Sequence, residues 1–327
     1  MKKNIAIVCG GFSGEYDVSI ESAKLVHKHL DAEKYEAYLV VIEPNDWFYK
    51  TADGKKINID MQDFSLQLNT KKVLFDAVFN VIHGTPGEDG KLQSYFDIIG
   101  IPYTSSGVDS SSLTFNKFNC NAFVSSYGIN RARSMSYVKG EKIDNDEIVK
   151  TLGLPLFIKP NRSGSSVGIS KVKSVDEIAD AVKKAFEADD RVLIEEFVDG
   201  REIACGILQR GSEIIVLPLT EIVSKNEFFD YEAKYTKGMA DEICPAPNVP
   251  EEIEQDIKTL SAFLFHQMDC KGFVRFDYIF TDSDLYFLEV NTIPGISEAS
   301  ILPQMALEFG LSFKEFFNIV LGNIIKN

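Results

Sequence analysis

The chain is short of the features that mark several common protein classes. Its five cysteines, Cys9, Cys120, Cys205, Cys244 and Cys270, are scattered and form no C-x-x-C pair. Neither a zinc site nor a disulfide framework is indicated, and reduced thiols in a cytoplasm fit better. Positive charge is in deficit: 34 Lys and Arg stand against 49 Asp and Glu, a net −15. That argues against nonspecific binding to nucleic acid or to an anionic membrane. The apolar run in the opening MKKNIAIVCGG is too short to span a bilayer or to serve as a secretory signal. The first glycine loop, GGFSGE, is not G-x-G-x-x-G, and G-x-x-x-x-G-K-[ST] occurs nowhere. A nicotinamide-type site is thereby disfavoured and a P-loop excluded. There is no internal repeat and no low-complexity tract. None of this forbids an anionic ligand, because local lysines and helix N-termini hold phosphate in acidic proteins too.

What is present is an ordinary globular balance, 45% hydrophobic and 25% charged, which argues against disorder. A length of 327 residues implies two or three domains. Residues 4–9 read as a strand ending in Gly10-Gly11, residues 19–30 as a helix and residues 37–43 as a second strand, which together start a parallel α/β unit. Residues 77–83 form a further buried strand running into the glycine loop GTPGEDGKLQ and a helix at 92–99. A helix over 118–126 precedes a polar run and a short helix. Residues 155–160 and 192–198 are strands, and 203–208 with 214–219 form a hairpin. The polar, aromatic-studded stretch 224–247 is long and irregular, the mark of a lid or a disordered segment. An amphipathic helix covers 251–268, and two helices, 303–310 and 313–325, close the chain.

The stretch with most chemistry is 272–300, GFVRFDYIFTDSDLYFLEVNTIPGISEAS. It reads as two strands joined at Thr281–Asp284. Alternation puts Arg275 and Asp277 on one face of the first strand, and Glu289 and Asn291 on one face of the second. Phe276, Tyr278, Leu288 and Val290 suit the buried face. Two carboxylates, an amide and a guanidinium would then converge, a donor set suited to Mg²⁺ carried by a phosphate. For the pairs to face alike the hairpin needs a bulge or an odd-length loop. The alternative is an edge hairpin with a solvated charged face. Elsewhere, Glu15 beside a helix N-terminus reads by itself as a dipole partner, and His83 as a structural histidine. The serine-rich loop NRSGSSVG can turn backbone N–H groups towards an oxyanion. Glu195 and Glu196, in an apolar strand, need partners or a ligand.

These segments resemble the D-alanine–D-alanine ligases, members of the ATP-grasp family of carboxylate–amine ligases. R-F-D, L-E-V-N, P-G-I and S-I-L-P resemble that family's C-terminal signature. H-G-x-x-G-E-D-G-x-L-Q is matched in full from His83 to Gln93, and G-G-x-S-x-E-x-x-V-S-x-x-S at Gly10, Gly11, Ser13, Glu15, Val18, Ser19 and Ser22. K-P-x-x-x-G-S-S-V-G is matched from Lys159, and FDYEAKY at 229–235 is similar to the family's Y-D-Y-E-A-K-Y. The sequence departs from the pattern at Ser105, where the family has glycine, a change that bears on that turn's freedom, and at Phe115-Asn116 before Lys117. The resemblance spans residues 4 to about 312, with its motifs in family order.

The resemblance implies an α/β protein: an N-terminal parallel α/β domain (1–105) followed by a two-lobed ATP-grasp fold with antiparallel sheets (106–194 and 195–327). It implies ATP and Mg²⁺ (two ions, with Mn²⁺ an alternative) as cofactors, two D-alanines as substrates, a homodimer and a cytoplasmic role in peptidoglycan synthesis. Glu15 would bind the first ammonium and join a network with Ser165 and Tyr235. His83, Ser300 and Ile301 would contact substrate. Arg275 and the N–H of Gly295 would stabilise the acyl-transfer oxyanion. Lys117, Lys159, Ser166, Ile169, Glu195, Phe197, Val198, Glu202 and Lys234 would hold ATP, and Asp277, Glu289 and Asn291 the metal. Arg275→Ala or Glu289→Gln would abolish ligation and leave the fold intact. Tyr235 resembles the D-alanine-using members; relatives that join D-lactate carry phenylalanine there. A sibling ligase for D-lactate or D-serine, or a non-catalytic nucleotide-binding regulator, are the alternatives.

Overall fold

The computed structural model describes residues 2–51, 53–164, 166–224 and 240–325. Three sheets organise it. The first has seven strands: β1 (Lys3–Gly10), β2 (Tyr35–Glu43), β3 (Asp46–Lys50), β4 (Lys56–Asp60), β5 (Ser65–Leu68), β6 (Lys71–Val73) and β7 (Ala77–Asn80), in the order 6-5-4-3-2-1-7. β1 lies parallel to both β2 and β7, while β2 to β6 form an antiparallel meander. β1 is an unbroken apolar run because helix α1 (Tyr16–His29) buries one face and an aromatic cluster around Phe64 the other, so residues 5–9 are all buried.

Helices α2 (Lys91–Ile99), α3 (Val108–Phe115) and α4 (Lys117–Ser126) lead to the second sheet. The start of α4 is set by Asn116, whose side chain accepts from Asn119 N–H, a cap that removes one unpaired donor. The second sheet contains β8 (Ser134–Val138), β9 (Leu156–Pro160), β10 (Ser170–Val172) and β11 (Arg191–Glu196), all antiparallel in the order 10-9-11-8, backed by α5 (Asn145–Leu152) and α6 (Ile178–Phe186). The third sheet is again antiparallel: β12 (Arg201–Arg210), β13 (Glu213–Val216), β14 (Thr220–Ser224), β15 (Ala240–Ile243), β16 (Phe273–Phe280) and β17 (Leu285–Asn291), in the order 15-14-12-16-17 with β13 on the far stretch of β12. Helix α7 (Glu251–Gln267) covers one face, and α8 (Ile301–Glu308) with α9 (Phe313–Gly322) the other. α9 opens with a full capping box, Ser312 with Glu315.

The fold class read from the sequence holds, with smaller differences in the elements. The buried strand expected over 77–83 stops at Asn80, and the one over 192–198 stops at Glu196, so Phe197 and Val198 lie beyond its end. Strands β3 to β6, β8 and β10 and helix α3 had no counterpart among the elements expected from the sequence, and β15 falls inside the stretch 224–247 expected to be irregular.

Candidate active site

The hairpin β16–β17 carries the centre of the site. Arg275 pairs with Asn291 and Asp277 with Glu289, and the register then slips, because Tyr278 faces Phe287. The connecting loop, between paired Phe280 and Leu285, has an even length, so the bulge at Leu288 is what brings both polar pairs to one side. The same bulge overturns one expectation: Leu288 is not on the buried face but lines the cavity, and Phe287, 3% exposed, takes the core position instead. Phe276, Tyr278 and Val290 are buried as expected.

On the polar face Arg275 donates to Asp277 twice, from Nε to Oδ1 and from Nη2 to Oδ2, each at 2.8 Å. Asn291 Nδ2 also donates to Asp277 Oδ2, at 2.9 Å. Glu289 stands 3.7 Å from Lys117 Nζ. Burial works against the Arg275 charge, but Asp277, with Glu289 and Glu242 beyond it, raises its pKa further. Two carboxylates and an amide on one face suit a hard divalent cation. Asp277 keeps lone pairs beyond those its neighbours use. Among the described residues no three His, Cys, Asp or Glu side chains converge as a metal cage, so a cation here needs oxygens from a substrate phosphate, the usual habit of Mg²⁺.

Two cavities meet at this face, sharing Glu88, Gly164 and Asn291 in their walls. The first lies towards the second sheet and is lined by Lys117, Lys159, Ser166, Ile169, Glu195 and Glu289, among others. Lys159 Nζ contacts Glu195 Oε2 at 2.5 Å, and Lys117 Nζ donates to Ser163 O at 2.9 Å. These side chains close on one another and leave only about 60 Å³ free, well under the usual ligand cavity of roughly 300–1,000 Å³. A ligand of ordinary size would have to exchange those contacts for its own. Val198 borders a smaller adjoining recess. Phe197 stacks under Lys171, 3.7 Å from the ring centre, and Glu202 sits on β12 opposite Ile222 and Ile279. Neither Phe197 nor Glu202 lines the cavity. Ser165, Lys234 and Tyr235 lie outside the described residues.

The second cavity, about 450 Å³, is lined by Glu15, His83, Arg275, Gly295, Ser300 and Ile301, together with residues the sequence reading passed over, Glu242 and Ser297 among them. Glu15 is held between two glycines. A Cβ on Gly84, whose φ is +68°, would sit 3.2 Å from its Oε2, and one on Gly164 would be far inside contact distance. Ser300 stands at the N-cap position of α8 but its side chain does not bond the helix; its Oγ accepts from Ser297 N–H at 2.9 Å. His83 is 4% exposed; its Nδ1 lies 2.8 Å from Ile293 O and its Nε2 3.2 Å from Ser22 Oγ. Burial lowers its pKa and keeps the ring neutral. Both ring nitrogens are thus engaged by the protein. Glu88 accepts from Gly84 N–H at 2.9 Å, and burial, with Glu15 adding to it, pushes its pKa up to about 8.

Two further residues shape these walls. Asn121 donates to Glu195 Oε1 at 3.0 Å and thereby fixes the buried carboxylate; it follows Lys117 by one helical turn, a spacing that would have flagged it. Ser105, in place of the glycine of the family pattern, keeps a negative φ and accepts from Gln93 Nε2 at 3.1 Å. Gln93 and Asn80 in turn both hold Gly87 O, so the serine ties down the loop that carries Glu88.

Against known proteins, two family models match: "D-ala D-ala ligase N-terminus" over residues 4–106 and "D-ala D-ala ligase C-terminus" over residues 123–322. The chain belongs to the D-alanine–D-alanine ligase family. It is 45% identical to a D-alanine–D-alanine ligase of Flavobacterium johnsoniae, covering 96% of this chain and 97% of that one. It is 44% identical to one of Phocaeicola vulgatus, covering 100% and 99%. Among solved structures, D-alanyl-alanine synthetase A of Vibrio cholerae superposes with TM-score 0.89 at 28% identity, covering 99% of both chains. A D-Ala:D-Ser ligase of Enterococcus faecalis gives 0.87 at 33%, again covering 99% of both. A Bacillus anthracis D-alanine–D-alanine ligase complexed with ATP gives 0.78 at 26%, covering 98% and 97%. The family inferred from the sequence motifs is therefore the right one, and the chain is an ATP-dependent ligase. No helix among the described residues is long and apolar enough to cross a membrane.

Proposed function

We propose that this protein joins two D-alanines to D-alanyl-D-alanine at the expense of ATP, for peptidoglycan precursor synthesis. The observation that carries the reading is the junction of two cavities at one polar face. One cavity brings Lys117 and Lys159 to its wall, each beside a glutamate that phosphate oxygens would replace; the other offers the Glu15 carboxylate for an ammonium and the start of α8 for a carboxylate; Glu289, Asn291 and Arg275 line one or both, with Asp277 bonded to Arg275 and Asn291 behind them.

Chemistry in water demands that a carboxylate first be activated. The first D-alanine's carboxylate oxygen takes the γ-phosphoryl group of ATP, giving an acyl phosphate and ADP. Such transfer needs positioning and charge neutralisation above all. Lys117 and Lys159, which line the first cavity, would meet phosphate oxygens, and Lys234 joins them on the sequence match. Asp277, Glu289 and Asn291 would hold Mg²⁺, two ions by family resemblance and Mn²⁺ as a substitute, which neutralises phosphate charge when bound. Glu15 holds the first ammonium, while the network with Ser165 and Tyr235 rests on sequence. Ser300 Oγ and the N–H of Ile301 at the head of α8 take the second D-alanine's carboxylate, where the helix dipole favours an anion. Its amine, having lost a proton, attacks the acyl carbon. The C–N bond forms, the C–O bond to phosphate breaks, and phosphate leaves. Arg275 and Gly295 N–H face the oxyanion of that step. Ser166, Ile169, Glu195, Phe197, Val198 and Glu202 would contact ATP and His83 the substrate; the reading also takes in the domain division 1–105, 106–194 and 195–327, a homodimer and a cytoplasmic location.

The experiment is direct. Purified protein with ATP, Mg²⁺ and D-alanine should release ADP only when D-alanine is present, and chromatography should show the dipeptide. Dipeptide absent, with a mixed product formed only when D-serine or D-lactate is added, would move the assignment to a sibling ligase.

A further inference from the structure

The turn that carries Gly295 follows the third sheet, yet its hydrogen bonds run to the N-terminal domain. Ile293 O receives His83 Nδ1 at 2.8 Å, Ile293 N–H points to Glu88 Oε1 at 3.4 Å, and Ile296 N–H points to Ser22 Oγ at 3.4 Å. Ser22 Oγ also faces His83 Nε2 at 3.2 Å. The direction of this chain follows from its ends. A carbonyl oxygen only accepts, so Nδ1 carries the ring proton. The buried ring is neutral, so Nε2 has a lone pair and takes the Ser22 hydroxyl proton. Ser22 Oγ is then an acceptor for Ile296 N–H. Ser22 is 0% exposed and His83 4%, so both partners are shielded from bulk water.

We propose that Ser22 is a positioning residue for acyl transfer: bridging His83 and Ile296, it sets the turn 293–296 and thus the direction of Gly295 N–H. This rests on the function proposed above. Ser22 sits on α1, three residues after Ser19, whose own hydroxyl serves the glycine turn through Gly10 N–H and Val81 O. The two serines thus divide the work of one helix face: one shapes the loop before Glu15, the other reaches across to the oxyanion turn. Replacing Ser22 by alanine leaves a buried ring nitrogen and a buried N–H without partners and frees the turn to rotate.

The test is kinetic. Removing an oxyanion donor outright costs roughly 10²–10³ in rate, so misdirecting one should lower kcat of Ser22→Ala about 10- to 100-fold, with KM for ATP within about threefold of the parent. Affinity for a tetrahedral phosphinate mimic of the dipeptide should fall in parallel. Ser22→Thr, which keeps the hydroxyl, should recover most of the rate. If Ser22→Ala melts below the assay temperature, Ser22→Cys is held to the same kcat criterion. In a cycle with His83→Ala, the double variant should be no slower than the slower single one, because both cut the same chain. A kcat within twofold of the parent, or losses that multiply in the double variant, would overturn the proposal. The parent enzyme's own dipeptide yield tests the underlying function separately.

Discussion

Gly164→Ala tests the placement of Glu15 without touching Glu15 itself. The new Cβ would fall about 1 Å inside ordinary contact with the carboxylate, given an Oε2 distance far below the 3.4 Å at which such contacts begin. The obstructing atoms are the tip of one side chain, so the fold can yield. We expect thermal stability to change by less than about 1 kcal/mol. The carboxylate, however, must retreat by about 1 Å, and misplacement of that size can cost around 10²-fold, or about 2.7 kcal/mol of transition-state stabilisation. Initial rates across D-alanine at saturating ATP should show that loss in kcat/KM for D-alanine. Adding Glu15→Gln to Gly164→Ala should cost little more, since the carboxylate has already been displaced. A variant with kcat/KM within threefold of the parent would refute the claim that Glu15 meets substrate from between Gly84 and Gly164.

The remaining predictions concern charge. Asp277 is 1% exposed and both its oxygens are bonded to Arg275, so Arg275→Ala removes its counter-charge, leaves it only Asn291 Nδ2, and should cost about 3–5 kcal/mol in urea melts; an unchanged melt contradicts this. Glu289→Gln removes one charge from a partly exposed side chain and should abolish ligation with an unchanged melt; a normal rate contradicts this. Glu88 has its pKa raised from 4.5 to about 8, so its contribution to stability is complete below about pH 4.5 and is lost as pH rises through about 8. Glu88→Gln cannot ionise, and its stability relative to the parent should climb between pH 5 and 9 by about 1.4 kcal/mol per unit at most; a pH-independent difference in urea melts contradicts it. Tyr235→Phe should raise the yield of D-alanyl-D-lactate relative to dipeptide at neutral pH; an unchanged ratio counts against the selectivity assigned to that hydroxyl.

The hairpin was legible because alternation alone sorted its side chains, and the requirement for a bulge followed from parity. Which residue would bulge was not legible, since strand twist and packing against Phe276 and Tyr278 decide between Phe287 and Leu288. The meander β3 to β6 has short strands with many exposed positions, so its periodicity is weak. β8 is an edge strand, half-buried along most of its length, and offers no apolar stripe to read. The candidate site residues within glycine-rich motifs could be proposed because several motifs agreed. Ser22 and Glu88 stood inside those motifs with no role, because their partners, Ile296 and Ile293, lie more than 200 residues away in the chain.

The proposed reaction passes a phosphoryl group to an amino-acid carboxylate where the two cavities meet. D-alanine labelled with ¹⁸O in its carboxylate measures this most directly. Each dipeptide formed should release one inorganic phosphate bearing a single ¹⁸O, taken from the cleaved acyl phosphate; unlabelled phosphate released alongside dipeptide would rule this route out.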